Sequence, residues 1–144
     1  MTKEPDPYNL ARFVAAQAPV FARVCAELDA GAKTSHWMWF IFPQLKALGR
    51  SATALFYGLA DVAEARAYWQ HPVLGPRLKE SCRQLLALPP GHSALQVLGP
   101  IDARKLGSCA TLFARVAPEE PVFRQVLERF HAGEEDALTV AALG

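Results

Sequence analysis

The sequence predicts an all-α fold of about seven to nine short helices forming one domain over residues 1–144, and three observations carry that prediction. Apolar residues recur at three- and four-residue spacing along most of the chain, the period of a helix with one buried face. Prolines, glycines and capping residues interrupt those stripes where helices would start and stop. No two alternating segments flank a turn, so the chain shows neither a hairpin nor a βαβ rhythm.

Each element follows from the same rules. Leu10, Phe13 and Val14 form a first short stripe. Pro19 stands where a helix begins, and Val20, Phe21, Val24, Cys25 and Leu28 follow at helical spacing until Asp29-Ala30-Gly31 ends the run. Residues 35–45, SHWMWFIFPQL, place six bulky apolar residues together behind a Ser-His pair. Their content favours a strand, but a lone strand would leave its backbone groups unpaired, so the run reads as a short buried helix ending before Pro43. After a break at Gly49-Arg50, Ser51 can cap a helix running through Leu55 and Phe56 to Gly58. Asp61 with Glu64 has the form of a capping box at the head of a helix through Trp69.

His71-Pro72-Val73-Leu74-Gly75-Pro76 cannot be continuous helix, because Pro76 would clash with the Pro72 carbonyl. It reads as a turn feeding a new helix at Pro76, with Leu78, Cys82, Leu85 and Leu86 as its stripe and Leu88-Pro89-Pro90-Gly91 as its end. A short helix over residues 93–98 stops at Gly99-Pro100. Asp102 is placed to cap the next helix, whose inner face carries Leu106, Cys109, Ala110 and Phe113. Pro121 opens a C-terminal helix over about residues 121–132, with Val122, Phe123, Val126, Leu127 and Phe130 inward. The segment from Gly133 onward has no clear pattern.

Composition narrows the function classes. Apolar residues make up 51% and charged residues 20%, enough to build a core and too apolar for general disorder. A net charge of +1, with no basic run, disfavours generic binding to nucleic acid or to an anionic membrane. The polar opening MTKEPDPYN predicts no signal peptide, and no apolar run approaches the ~20 residues of a membrane span. Cys25, Cys82 and Cys109 lack CxxC spacing and lie in apolar stripes, which predicts reduced thiols in a cytoplasmic protein. His36, His71, His92 and His131 lack ligand spacing, so no metal is expected. Neither a phosphate loop nor a dinucleotide fingerprint is present, and no cofactor is expected. A monomer or homodimer fits this composition.

Three constellations could carry chemistry. In the first, the indoles of Trp37 and Trp39 can stack on a planar ring beside Ser35, with His36 moving a proton. The alternative is that both tryptophans are core and Ser35 caps the short helix. Close behind, Gln44, Lys46, Arg50 and Ser51 could form an anion site at a helix start, or simply an ordinary capped helix beside a solvated arginine. In the second, two prolines and a glycine fix a rigid turn that can hold His71 and Arg77. The alternative is a plain helix corner in which His71 bonds a helix end. The third comprises Asp102, Lys105, Ser108 and Cys109. There Asp102 reads as an N-cap and Cys109 as a small buried residue, since a Cys-His nucleophile needs a thiolate-stabilising setting. Serine-nucleophile and paired-carboxylate signatures are absent.

The segments SHWMWFIFPQLKALGRS, AYWQHPVLGPRL and VLGPIDARKLGSCATLF resemble the family catalogued as domain of unknown function 1810, some of whose members carry the label calpastatin. The likeness runs from Asp6-Pro7-Tyr8-Asn9-Leu10 and Ala16-Gln17 to about Val116, over roughly residues 6–116. It implies a single compact helical domain and supplies no activity. The last segment departs from the family pattern, in which an arginine more often stands at Gly107 and a serine at Cys109. The chain also resembles, more faintly, the NADAR family, whose members act on or bind ADP-ribose-type molecules. Gly49-Arg50, His71-Pro72-Val73-Leu74 and Pro100-Ile101-Asp102 are the counterparts, with His71 in place of an asparagine.

Together these readings lead to an expected pocket for a small anionic ligand of nucleotide or ADP-ribose type. Ser35, Trp37, Trp39, Gln44, Arg50, Ser51, Arg77, Lys105 and Ser108 would bind it, and His36 and His71 are the catalytic candidates. Metal-free hydrolysis or glycosidic cleavage is the chemistry such a site would favour, though the residues leave open whether the protein is an enzyme. The competing expectation is a non-enzymatic interaction or dimerisation module using the Trp-rich run. The spatial criterion is that His36, Arg50 and His71 line one cavity; their lying on separate faces would sink this reading.

Overall fold

The computed structural model describes residues 5–144; Met1–Glu4, the first part of the polar opening, lie outside the described residues. Ten α-helices and one 3-10 turn are present among the described residues, with no strand, so the all-α class is the observed one. In chain order they are α1 (Ala11–Gln17), α2 (Phe21–Ala30), α3 (Met38–Ile41), the 3-10 turn Lys46–Leu48, α4 (Ala52–Phe56) and α5 (Val62–Gln70). They continue as α6 (Leu74–Leu86), α7 (Ala94–Leu98), α8 (Pro100–Val116), α9 (Val122–Phe130) and α10 (Ala137–Leu143). The α10 helix is the segment whose pattern was unclear; Asp136 caps it through the Thr139 N–H. No helix among the described residues is long and apolar enough to cross a membrane.

The 17-residue α8 is the post of the fold, packing against α5, α7, α9 and α10, while α6 packs against α2, α5 and α9. One continuous apolar cluster joins them, from Leu10 and Phe13 to Val126 and Leu127. The stripes explain its membership: Val24 and Leu28 of α2, Leu78, Cys82 and Leu85 of α6, and Leu106, Cys109, Ala110 and Phe113 of α8 are all buried. An aromatic relay of Phe13, Tyr68, Phe113 and Phe123, each centroid within 5.6 Å of the next, fills its centre. Burial pushes the Cys82 and Cys109 thiols well above their ordinary values, so both act as apolar packing.

Charged side chains staple the periphery. Arg12 donates to the carbonyls of Tyr8, Asn9, Phe56 and Gly58 and to the Glu64 carboxylate at 2.7 Å, tying the amino-terminal turn to α4 and α5. Arg129 donates to the Leu86 and Pro89 carbonyls, both at 2.7 Å, closing the end of α6.

Several boundaries differ from the sequence reading, each for a local reason. The helix after the His71 turn starts at Leu74 rather than Pro76, because the first-turn N–H groups of a helix need no intrahelical acceptor and proline costs little there. Gly99 rather than Asp102 is the N-cap of α8, with Pro100 as its first residue. Ser35 does not cap α3; Trp37 occupies that position and has no side-chain cap bond. At α5, Asp61 caps the Glu64 N–H, but the Glu64 carboxylate turns to the Ala60 N–H and to Arg12, so the box is half formed. A complete box, unmarked in the sequence reading, stands at α7 between Ser93 and Gln96.

Candidate functional site

The segment between α2 and α3 is built around one buried carboxylate. Gly31, at φ 70°, ends α2 in the left-handed region that a glycine enters without a Cβ penalty. From there Thr34 and Ser35 donate their backbone N–H groups to Glu27, at 2.8 and 3.0 Å. The Ser35 hydroxyl and the Trp37 indole N–H complete the set, at 2.7 and 3.0 Å. Burial pushes the Glu27 carboxyl up, but these four bonds outweigh it and hold the group down at about 2. On the same segment the Lys33 N–H donates to the Val97 carbonyl at 2.8 Å, tying it to α7.

This scaffold presents Lys33 and His36 to a cleft of about 430 Å³, walled by Met38 and Trp39 on one side and by residues 98–102 and Lys105 on the other. Gly99, at φ 86° and ψ 167°, makes the sharp turn from α7 into α8 in a conformation closed to residues with side chains. That turn brings Asp102 to 2.8 Å from Lys33 Nζ, and the pair is nearly enclosed, at 8% and 18% side-chain exposure. The Lys105 ammonium sits 5.2 Å from the centre of the half-buried Trp39 ring. No carboxylate among the described residues lies within ion-pair distance of it. His36 is exposed at the cleft. A flat indole, a free ammonium and an accessible imidazole around one concavity suit a ligand that is planar at one end and anionic at the other.

Of the residues expected to meet in one pocket, His36, Trp39 and Lys105 do so here. His71 lines a separate groove with Trp69 and Pro72, and Arg50 is exposed ahead of α4 and does not border the His36 cleft. The shared cavity of His36, Arg50 and His71 is therefore not formed. Trp37 is core, at 1% exposure, with its ring beside Phe42 and its N–H spent on Glu27 of α2. Ser35 is committed to that same carboxylate. Ser51 caps α4 through the Ala54 N–H, and the Gln44 carbonyl accepts from Leu59 N–H beside the isolated Leu45–Leu59 bridge. Arg77 stacks on Phe21 at 4.9 Å and donates to Gln17, while the buried Ser108 hydroxyl donates to the Arg104 carbonyl.

His71 has a structural job. Its Nδ1 accepts the N–H groups of Val73 and Leu74, at 3.1 and 3.3 Å, where α6 begins. That is the helix-end bond weighed against catalysis in the sequence. Behind it Gly75 is required, since a Cβ there would overlap the Trp69 carbonyl oxygen.

The sequence reading missed Lys33, Glu27 and the ion-paired role of Asp102. For Glu27 a signal existed: it shares the buried face of α2 with Val24 and Leu28, where a carboxylate stays only if it is fully bonded. Lys33 carried no local signal, because its partner lies 69 positions along the chain in α8.

A family model described as a protein of unknown function, DUF1810, matches residues 7–143. The chain belongs to the DUF1810 family. The match reaches beyond the motif segments to include α9 and α10. Among solved structures, the DUF1810 chain is similar to the conserved hypothetical protein Rv1873 from Mycobacterium tuberculosis, with 48% identity and a TM-score of 0.94. The similarity covers 96% of this chain and 98% of that one. No curated protein matches. Of the three elements that resemble NADAR, only Pro100-Ile101-Asp102 borders the cleft of this DUF1810 protein.

Proposed function

We propose that the cleft between the α2–α3 segment and the start of α8 binds a small ligand combining a flat ring with an anionic group, of nucleotide or ADP-ribose type. The observation that carries this reading is the Lys105 ammonium poised on Trp39 with no carboxylate partner among the described residues, inside a concavity that also holds His36. In this reading the Trp39 ring and the apolar wall at Met38 and Leu98 take the planar part, and Lys105 takes the charge. His36 is the group positioned to move a proton, so turnover, if the ligand is a substrate, runs through it. The free thiols Cys25, Cys82 and Cys109 support a reducing, cytoplasmic setting for the same reading.

The test is a thermal-shift and tryptophan-fluorescence titration against AMP, NAD and ADP-ribose up to millimolar concentration. Binding raises the melting temperature by mass action and changes Trp39 emission, and Lys105→Ala and Trp39→Leu abolish both signals. No shift with any of the three overturns the reading. Loss of NAD or ADP-ribose over time, followed by mass spectrometry and absent in His36→Ala, would make the site catalytic. The interaction-module reading draws no support from the Trp-rich run, whose Trp37, Met38, Ile41 and Phe42 are buried.

A further inference from the structure

We infer that Lys105 is a latch on this cleft, drawn off the Trp39 ring only by a ligand that carries an anionic group. Flat rings without negative charge are disfavoured for that reason. The inference rests on the ligand reading above and adds how the site chooses between charged and uncharged ligands that share one ring. Trp39 stands on the α3 wall and Lys105 on the α8 wall, yet the Lys105 ammonium lies over the indole, 5.2 Å from its centre. The side chain therefore reaches across the cleft, and the indole face that it covers is the one turned to the cleft. A flat ring can stack there only after the ammonium has left.

Leaving that face is unfavourable, because the electron-rich face of an indole attracts an ammonium, and more strongly as water is excluded. Lys105 has no carboxylate within ion-pair distance among the described residues. Asp102, the carboxylate of the cleft, is already paired with Lys33 at 2.8 Å, and that neutral, nearly enclosed pair offers a ligand neither charge. A neutral ring must therefore send the ammonium into water and give it nothing in return. An anionic ligand supplies a charged partner in place of the lost ring face. The group that moves aside for the ring is the group that holds the anion, so stacking and charge capture occur together.

The experiment is a calorimetric titration of the full chain with adenosine, set against AMP, NAD and ADP-ribose, all of which contain adenosine and add anionic groups. On the wild type the anionic ligands bind about tenfold more tightly than adenosine. Lys105→Ala uncovers Trp39, and adenosine then binds about threefold more tightly than to the wild type. AMP, its phosphate left without a cation in a partly enclosed site, falls behind adenosine. Lys105→Gln, a second uncharged variant, reproduces that reversal. Lys105→Arg keeps the wild-type order, because a guanidinium can both lie on an indole and meet a phosphate. The latch also has a readout that needs no nucleotide. With Trp37 buried, a Trp69→Phe background leaves Trp39 as the one accessible tryptophan, and adding Lys105→Ala raises acrylamide quenching of its emission. Adenosine affinity that is unchanged or weakened by both Lys105→Ala and Lys105→Gln overturns the inference and leaves the ligand reading standing, with Lys105 as a plain anion contact. Unchanged quenching overturns the inference as well. Failure of all four ligands to bind the wild type overturns the ligand reading itself, and the inference with it.

Discussion

The α2–α8 cleft and the α5–α6 corner look alike in sequence and do opposite work in the fold. Each sets a histidine close to tryptophan and proline along the chain: His36 with Trp37, Trp39 and Pro43, and His71 with Trp69, Pro72 and Gly75. At the corner the imidazole is consumed, its Nδ1 holding the first N–H groups of α6. At the cleft the imidazole is left free, because Glu27 satisfies the backbone and indole donors on both sides of it. A histidine becomes available for chemistry when something else does its structural work.

That contrast can be broken at several points. The largest effect is expected at Trp37, which supports the cleft from below. Trp37→Ala removes a fully buried ring and its bond to Glu27, costing about 4 kcal/mol by urea denaturation, against about 1 kcal/mol for the half-exposed Trp39→Ala. At the corner, Gly75→Ala drives a Cβ into the Trp69 carbonyl and costs roughly 3 kcal/mol by the same measurement. Equal losses for the two tryptophans would erase the distinction between scaffold and wall.

Glu27 gives the comparison a pH signature. Its carboxyl is held at about 2 in the folded protein against an ordinary value of 4.5. Its stabilisation is therefore complete above 4.5 and is lost progressively as pH falls from there toward 2. In Glu27→Gln this part of the acid slope disappears, which chemical denaturation at stepped pH would read directly. An unchanged slope would mean that the carboxylate does not organise the segment.

The smallest effects separate the two histidines. His71→Ala removes the α6 cap and lowers stability by about 1 kcal/mol. His36→Ala, at an exposed position, changes stability by less than about 0.5 kcal/mol by the same measurement. The opposite ranking in urea denaturation would exchange their roles.

Much of this fold was readable before any coordinates. The stripes of α2, α6, α8 and α9 specified their inner faces, because helical periodicity is a local property and burial follows from it. Prolines and glycines marked the breaks for an equally local reason, since they restrict or free the backbone of their own residue. The motif segments also placed the chain in its family. Boundaries were less legible where a local signal had two uses: Asp102 had the form of an N-cap, yet the turn at Gly99 freed its carboxylate to bind Lys33.

Only the tertiary structure decided which residues share a site. It kept only His36, Trp39 and Lys105 of the expected pocket at one cleft, sent Trp37 inward and assigned His71 to a helix end. Those outcomes depend on partners distant in sequence, such as Lys33 with Asp102 and Trp39 with Lys105. No short-range pattern encodes the angle at which two helices meet. The sequence by itself determined which faces must be buried; packing decided which polar groups were left over at the cleft.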